Sequence, residues 1–80
     1  MEWYKLAAKQ GNQFAQAQLS QAYMEGEGVT KDIIEGIRWL KLAANQEYAP
    51  SMFKLGDAYL SGVGVEKSKA EAEIWHARAI

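Results

Sequence analysis

Hydrophobic positions along the chain follow a helical period. Ala15, Leu19, Ala22 and Tyr23 are spaced i, i+4, i+7 and i+8, so their side chains share one face of a helix. No segment alternates apolar and polar residues in the way that a half-buried strand does. The pattern predicts an all-α chain with helices over residues 2–12, 14–25, 32–46, 50–61 and 68–79.

Capping residues mark where these helices begin and end. Gly26 is placed to end the second helix, because glycine readily adopts the left-handed conformation of a helix C-terminus. Asp32 followed by Glu35 has the spacing of an N-terminal capping box for the third helix. Pro50 suits the first turn of the fourth helix, where a missing N–H leaves no hydrogen bond unmade. The predicted helices therefore have local signals at their ends.

The whole pattern repeats with a period of 36 residues. Trp3, Trp39 and Trp75 keep this step, and the segment 26–29 recurs with its glycines and final valine at 62–65. A tandem repeat of helices predicts stacked pairs, in which small side chains allow close approach and large aromatic side chains fill the gaps. We therefore expect the three indoles to be buried in a shared core rather than to form an open ligand-stacking site.

The two glycine-rich segments raise the question of phosphate binding. A phosphate loop follows a strand and ends in Gly-Lys-Ser/Thr or carries a third glycine. Here a helix precedes each segment, and neither segment contains a Gly-Lys pair or a third glycine. Their recurrence at the repeat step favours a structural turn, with Val29 and Val65 packed beneath it.

Composition and charge exclude several classes of function. The chain has 80 residues, of which 49% are apolar and 24% are charged, as in small globular domains. The net charge is −1 with both signs mixed, so no basic stripe is available for nucleic acid. No apolar run approaches the ~20 residues of a membrane-spanning helix. The absence of cysteine excludes disulfides and cysteine-based sites. None of these features indicates a cellular compartment.

Taken together, these residues resemble the Sel1-like repeat, a relative of the tetratricopeptide repeat. The matching positions are Ala15, Leu19, Tyr23, Gly26, Gly28, Val29, Asp32, Trp39, Ala43 and Ala44 in one unit, and Leu55, Gly56, Tyr59, Gly62, Gly64, Val65, Ala72, Trp75 and Ala79 in the next. The resemblance implies a right-handed α/α superhelix over 1–80, with a partial unit at 1–12, a full unit at about 13–48 and a second unit at about 49–80. It also implies a non-catalytic scaffold or adaptor that binds other proteins.

Some positions depart from the pattern of this family. Glu47 stands where a unit closes on glycine, Ser51 and Gly36 stand for alanine, and Leu40 and His76 stand where tyrosine is usual. Glu47 is the departure that we expect to make the connection to Pro50 less regular. In the cysteine-rich secreted members of this family, disulfides tie the two helices of a pair together, and this chain has no cysteine to form them.

Catalytic and metal chemistry have little support in the sequence. His76 is the only histidine, and Glu73 precedes it at the spacing found in di-iron carboxylate sites, which need two such motifs and further carboxylates. A serine nucleophile would need His76 as its base, and Ser68 is already placed to cap the fifth helix. We therefore expect no catalytic, cofactor or metal site. A hydrolase-like activity of the kind ascribed to secreted relatives is the less favoured alternative.

A second stripe on the first helix of each pair is the candidate binding surface, here called the inner stripe. It consists of Ala17, Gln21 and Met24 in the full unit and Phe53, Asp57 and Leu60 in the next. First-type helices line the inner curve of such a solenoid, so the inner stripe is expected to bind a peptide or a helix of an unidentified protein partner. Two alternatives remain open: Phe53 packs against the neighbouring pair, or the repeats are a structural spacer.

The two ends of the chain carry apolar residues where solenoids normally have polar capping helices. The first helix has Trp3, Tyr4 and Leu6, and the last has Ile74, Trp75 and the terminal Ile80. We expect either end-to-end association into a homo-oligomer or that the 80 residues belong to a longer array.

Overall fold

The computed structural model describes residues 2–79, and it consists of five helices joined by short turns. The helices are α1 (Glu2–Lys9), α2 (Gln13–Glu25), α3 (Ile33–Asn45), α4 (Ala49–Ser61) and α5 (Lys69–Arg78), and residues 2–79 contain no strand. The prediction of five helices is confirmed. The largest difference is at the end of α1, which stops at Lys9 rather than at residue 12 because Gly11 adopts a positive φ of 92°.

The predicted capping residues have the geometry that their types favour. Gly26 lies in the left-handed region with φ 74°, and its N–H donates to the carbonyl of Ala22 at 2.7 Å. The Asp32 carboxylate accepts a hydrogen bond from the Glu35 N–H at 3.1 Å. Ser68 caps α5 in the same way, and Asn12 caps α2, which the sequence analysis had not predicted. Local chemistry thus fixes the ends of the helices.

The turn between α3 and α4 contains the one non-glycine residue with positive φ among residues 2–79. Glu47 has φ 63° and occupies the repeat position at which the preceding unit has Gly11. The chain keeps the same type of turn at both places, although Glu47 carries a side chain there. Pro50 lies in the first turn of α4 as predicted.

The helices pack mainly on their sequence neighbours, which gives an elongated body of 35 × 22 × 13 Å. One core cluster joins α1 and α2, and it consists of Ala8, Ala15 and Leu19 with Tyr4, Ala7, Tyr23 and Trp39 packed against it. The second cluster joins α3 and α4 and consists of Ile37, Leu40, Ala44, Met52, Leu55 and Ala58. Neighbouring helix pairs therefore share their apolar faces, and each fully buried leucine contributes about 1.5–3 kcal/mol.

The tryptophans do not all lie where they were predicted. Trp39 packs on the first cluster and Trp75 on the second, and both are half-buried. Trp3 is 65% exposed, so the prediction of a buried indole is wrong at this position. The physical reason is that no helix within residues 2–79 lies against Trp3 as α2 lies against Trp39.

Candidate binding surface

The residues of the inner stripe lie on α2 and α4, and they differ in exposure. Ala17, Gln21 and Met24 on α2 are half-buried, whereas Phe53, Asp57 and Leu60 on α4 are exposed. Phe53 is 54% exposed and Leu60 is 45% exposed, so α4 presents two large apolar side chains to solvent.

A groove between α2 and α4 brings together two members of the inner stripe, Met24 and Asp57. This α2–α4 groove has a volume of about 240 Å³ and is lined by Met24, Leu40, Lys54, Asp57, Ala58, Ser61 and Val63. Leu40 and Ala58 are buried at its floor, while the side chains of Lys54, Asp57 and Ser61 are exposed at its rim. The groove therefore has an apolar floor and a polar rim with both charges present.

Hydrogen bonds position the polar groups of this rim. The Lys54 ammonium donates to the Gln21 side-chain carbonyl at 3.4 Å, which links α4 to α2. The Ser61 hydroxyl donates to the Asp57 carbonyl at 2.7 Å. One carboxylate oxygen of Asp57 lies 3.0 Å from Nε2 of His76, so α5 also holds this side chain in place.

His76 reaches Asp57 because α4 and α5 approach each other closely at Gly56. A Cβ at Gly56 would overlap the imidazole of His76, so no larger residue fits there without a shift. The same imidazole stacks on Phe53, with ring centroids 4.8 Å apart and planes inclined at 31°. His76 therefore covers one side of Phe53 and fixes Asp57 at the edge of the α2–α4 groove.

The structure divides the inner stripe into two parts. Met24 and Asp57 line the α2–α4 groove, and Gln21 touches its rim through Lys54. Phe53 faces His76 of α5, and Ala17 and Leu60 do not line the groove.

Sequence reasoning missed Lys54, Ser61 and His76 as members of this surface. Lys54, Asp57 and Ser61 are spaced i, i+3 and i+7, which places them on one face of α4. This spacing was a usable signal, but the side on which α2 lies depends on the packing of the helices.

Other parts of the surface give less support for a binding site than the α2–α4 groove does. A second cavity of about 260 Å³ lies along α3 and is lined by Glu35, Arg38, Trp39, Lys41 and Leu42, all from this one helix. Within residues 2–79 no three His, Asp or Glu side chains are close enough together to hold a metal ion. Glu73 is exposed.

Comparison with known proteins identifies the family. The Sel1 repeat model matches residues 1–12, 13–48 and 49–80. This chain belongs to the Sel1 repeat family. Its Sel1 repeats match a crystal structure of a Sel1 repeat protein from Oxalobacter formigenes with 37% identity and a TM-score of 0.94, over 98% of this chain and 32% of that chain.

A second solved structure is a protective antigen present in uropathogenic Escherichia coli strains, which displays the Sel1-like repeat (SLR) fold. It is 38% identical with a TM-score of 0.94, and the match covers 99% of this chain and 17% of that chain. None of the proteins with curated functions matches the sequence.

Membership of the family gives the class of function. Sel1 repeats typically mediate protein–protein interactions, and the family generally serves as a scaffold without catalytic activity. No helix within residues 2–79 has the length and apolar character needed to cross a membrane. Membership of the Sel1 repeat family therefore favours a protein as the class of partner for the α2–α4 groove.

Proposed function

We propose that this Sel1 repeat chain is a non-catalytic protein-interaction module that binds a peptide or a helix along the face formed by α2 and α4. The observation that carries the proposal is the α2–α4 groove with its apolar floor. Outside the groove, α4 also presents two exposed apolar side chains, Phe53 and Leu60. Surfaces of this composition provide the buried anchors on which protein recognition depends.

The size of the groove favours a side chain of a larger partner over a free small molecule. Sites for small molecules usually have volumes of about 300–1,000 Å³ and enclose most of the ligand. The α2–α4 groove is smaller, at about 240 Å³, and its rim is open to solvent. An aliphatic side chain from a peptide or helix would contact Met24, Leu40 and Ala58 at the floor.

The polar rim supports recognition of a partner's backbone. Lys54 donates hydrogen bonds and Asp57 accepts them, and both side chains are exposed although they are already positioned by Gln21 and His76. Side chains that are held in place before binding lose less conformational entropy when the complex forms. A partner with free amide and carbonyl groups, or with one charge of each sign, would complement this rim.

A structural spacer without a binding partner is the second candidate, and one observation favours it. Phe53 already stacks on His76, so part of its apolar surface is satisfied within the chain. The spacer and the binding module differ in one measurable property, which is specific peptide capture by α4.

Selection from a phage-displayed random peptide library on the immobilised chain would test the proposal. The double variant Phe53→Ala/Leu60→Ala should bind the selected peptides at least about tenfold more weakly, because each substitution removes an apolar anchor from the surface. Helical circular dichroism should be unchanged, since both side chains are exposed.

The matched control is Ile34→Ala/Ile74→Ala, which removes two apolar side chains of α3 and α5 that are at least about half exposed, as Phe53 and Leu60 are. This control should keep the affinity of the parent chain. Equal binding by both double variants, or no peptide enriched above background, would contradict the proposal and favour the spacer.

A further inference from the structure

The rim of the α2–α4 groove has a polarity that runs along α4. Lys54, Asp57 and Ser61 follow one another on this rim at i, i+3 and i+7. Lys54 and Asp57 are the only charged side chains within residues 2–79 that line the groove. Ser61 is the last residue of α4, where the helix carbonyls carry partial negative charge. The rim therefore changes from positive to negative toward the C-terminal end of α4.

The repeat itself does not require these two charges. The positions equivalent to Lys54 and Asp57 in the preceding unit are Gln18 and Gln21, which are neutral amides. The helix of that unit forms and packs without a charge at either place. Lys54 and Asp57 are both exposed, so the core of their own unit does not depend on them. The charged pair is thus a feature of this groove and not of the fold.

Both charged groups keep hydrogen-bonding capacity for a partner. The Lys54 ammonium has three N–H donors, of which one is directed to the side chain of Gln21. The contact with His76 uses one carboxylate oxygen of Asp57 and leaves the other. The Ser61 hydroxyl donates to the Asp57 carbonyl, so its oxygen can still accept. The rim therefore offers donors at Lys54 and acceptors at Asp57 and Ser61.

The spacing of the two charges favours a helical partner. Lys54 and Asp57 are three residues apart on α4, which is a rise of about 4.5 Å. Side chains three or four residues apart on a partner helix have Cβ atoms about 5–6 Å from each other. Side chains on one face of an extended strand are farther apart, at about 6.6 Å. A helix therefore matches the spacing of the rim more closely than a strand does.

We propose that the α2–α4 groove binds an amphipathic helix of another protein, in which an aliphatic residue is flanked by one acidic and one basic side chain. The aliphatic residue enters the groove, the acidic side chain contacts Lys54, and the basic side chain contacts Asp57 and Ser61. Exposed ion pairs add little affinity, but like charges placed together exclude wrong partners. Lys54 and Asp57 thus determine which helices are selected. This inference rests on the proposed function and adds the chemistry of the partner.

Selection from a phage-displayed library of helical peptides, carried out in parallel on the parent chain and on two charge-reversal variants, is the test. Peptides enriched on the parent chain should carry both an acidic and a basic residue within one turn of an aliphatic residue. Lys54→Glu should enrich peptides with basic residues only, because both rim charges are then negative. Asp57→Lys should enrich peptides with acidic residues only, for the opposite reason. A side chain with a merely structural role would not change the charge of the selected peptides.

Two control variants make the same changes in net charge elsewhere. Lys41→Glu on α3 and Glu73→Lys on α5 alter exposed side chains that do not line the α2–α4 groove. Both controls should select peptides with the same charges as those selected by the parent chain. Circular dichroism should show the parent helix content in all four variants, since every substituted side chain is exposed.

Affinities of one selected peptide assign each charge to its partner. Replacement of the basic residue of the peptide by glutamine should weaken binding to the parent chain about two- to fivefold, as expected for an exposed ion pair. The same replacement should not weaken binding to the Asp57→Lys variant. Equal losses with both chains would mean that the basic residue does not contact Asp57 and would contradict the proposal.

The possible failures separate this inference from the proposed function. Peptides that shift the methyl resonance of Met24 but have the same charges on all variants would overturn the inference and leave the groove as a binding site. No enriched peptide on any variant would overturn both. A concentration-dependent shift of Met24 without peptide would assign the groove to a second copy of the chain and contradict a separate partner.

Discussion

The Ser51 hydroxyl on α4 is buried and has no hydrogen-bond partner among residues 2–79. The preceding unit has Ala15 at the same position, completely buried and without a polar group. A buried hydroxyl without a partner costs about 1–3 kcal/mol. Ser51→Ala should therefore raise the free energy of unfolding by about 1 kcal/mol in urea denaturation. Ser61→Ala, which removes an exposed hydroxyl, should not stabilise the chain, and a less stable Ser51→Ala variant would contradict this account of the core.

The left-handed backbone at Glu47 gives a second prediction at a single residue. A non-glycine residue with positive φ costs about 1–2 kcal/mol, and glycine at the same place costs up to about 1 kcal/mol in chain entropy. Glu47→Gly should therefore stabilise the chain by about 0.5–1 kcal/mol, measured as a higher urea midpoint. Gly11→Ala provides the reverse test. A Cβ at Gly11 would touch nothing within 4 Å, so any loss of stability there comes from the backbone alone.

Among the elements, α1, α2 and the end of α3 are joined through one buried side chain. Gln16 is 4% exposed; its Nε2 donates to the Ala8 carbonyl at 3.1 Å, and its Oε1 accepts from Gln46 at 2.8 Å. The next unit has Met52 in this position, also 4% exposed and wholly within the apolar core. The two units therefore fill the same buried position differently, with a hydrogen-bonded amide in one and an apolar side chain in the other.

Gln16→Met and Gln16→Ala separate the volume of this side chain from its hydrogen bonds. Gln16→Met should cost less than about 1 kcal/mol, because it keeps the volume and the Ala8 carbonyl still accepts from the Gly11 N–H at 3.0 Å. Gln16→Ala should cost about 2 kcal/mol through the cavity it leaves. Equal losses in both variants, measured by urea unfolding, would show that the hydrogen bonds and not the packing determine stability.

The helices themselves could be predicted from the sequence because their signals are local. The apolar spacing at Leu19, the capping pair of Asp32 and Glu35, and the glycine at Gly26 each act within a few residues. The position of Lys54 beside Gln21 and the contact of His76 with Phe53 depend on how helices cross. These parts of the candidate site required the structure, since no local pattern encodes the crossing.

At the scale of the whole molecule, both ends of the chain carry exposed apolar side chains. Trp3 and Leu6 are exposed on α1 and Ile74 is exposed on α5, whereas Tyr4 and Trp75 are half-buried. Ile80, the last of the apolar residues noted at the ends, lies outside the described residues 2–79. End-to-end association therefore stays a prediction.

The exposure of Trp3 could not be predicted from the 36-residue repeat in the sequence. The step of 36 residues predicts the same surroundings for every tryptophan. Those surroundings include a covering helix that residues 2–79 supply for Trp39 and not for Trp3. A repeat pattern thus predicts which face of a helix packs, and the arrangement of the whole molecule decides whether a partner is present.

The central claim is that a partner binds in the α2–α4 groove, and the methyl resonance of Met24 tests it most directly. Met24 lines this groove, whereas Met52 is 4% exposed in the core and serves as an internal control. On addition of a peptide selected against the chain, the Met24 methyl signal should shift saturably while that of Met52 stays in place. Saturable peptide binding that leaves Met24 unchanged would place the binding surface elsewhere and contradict the account.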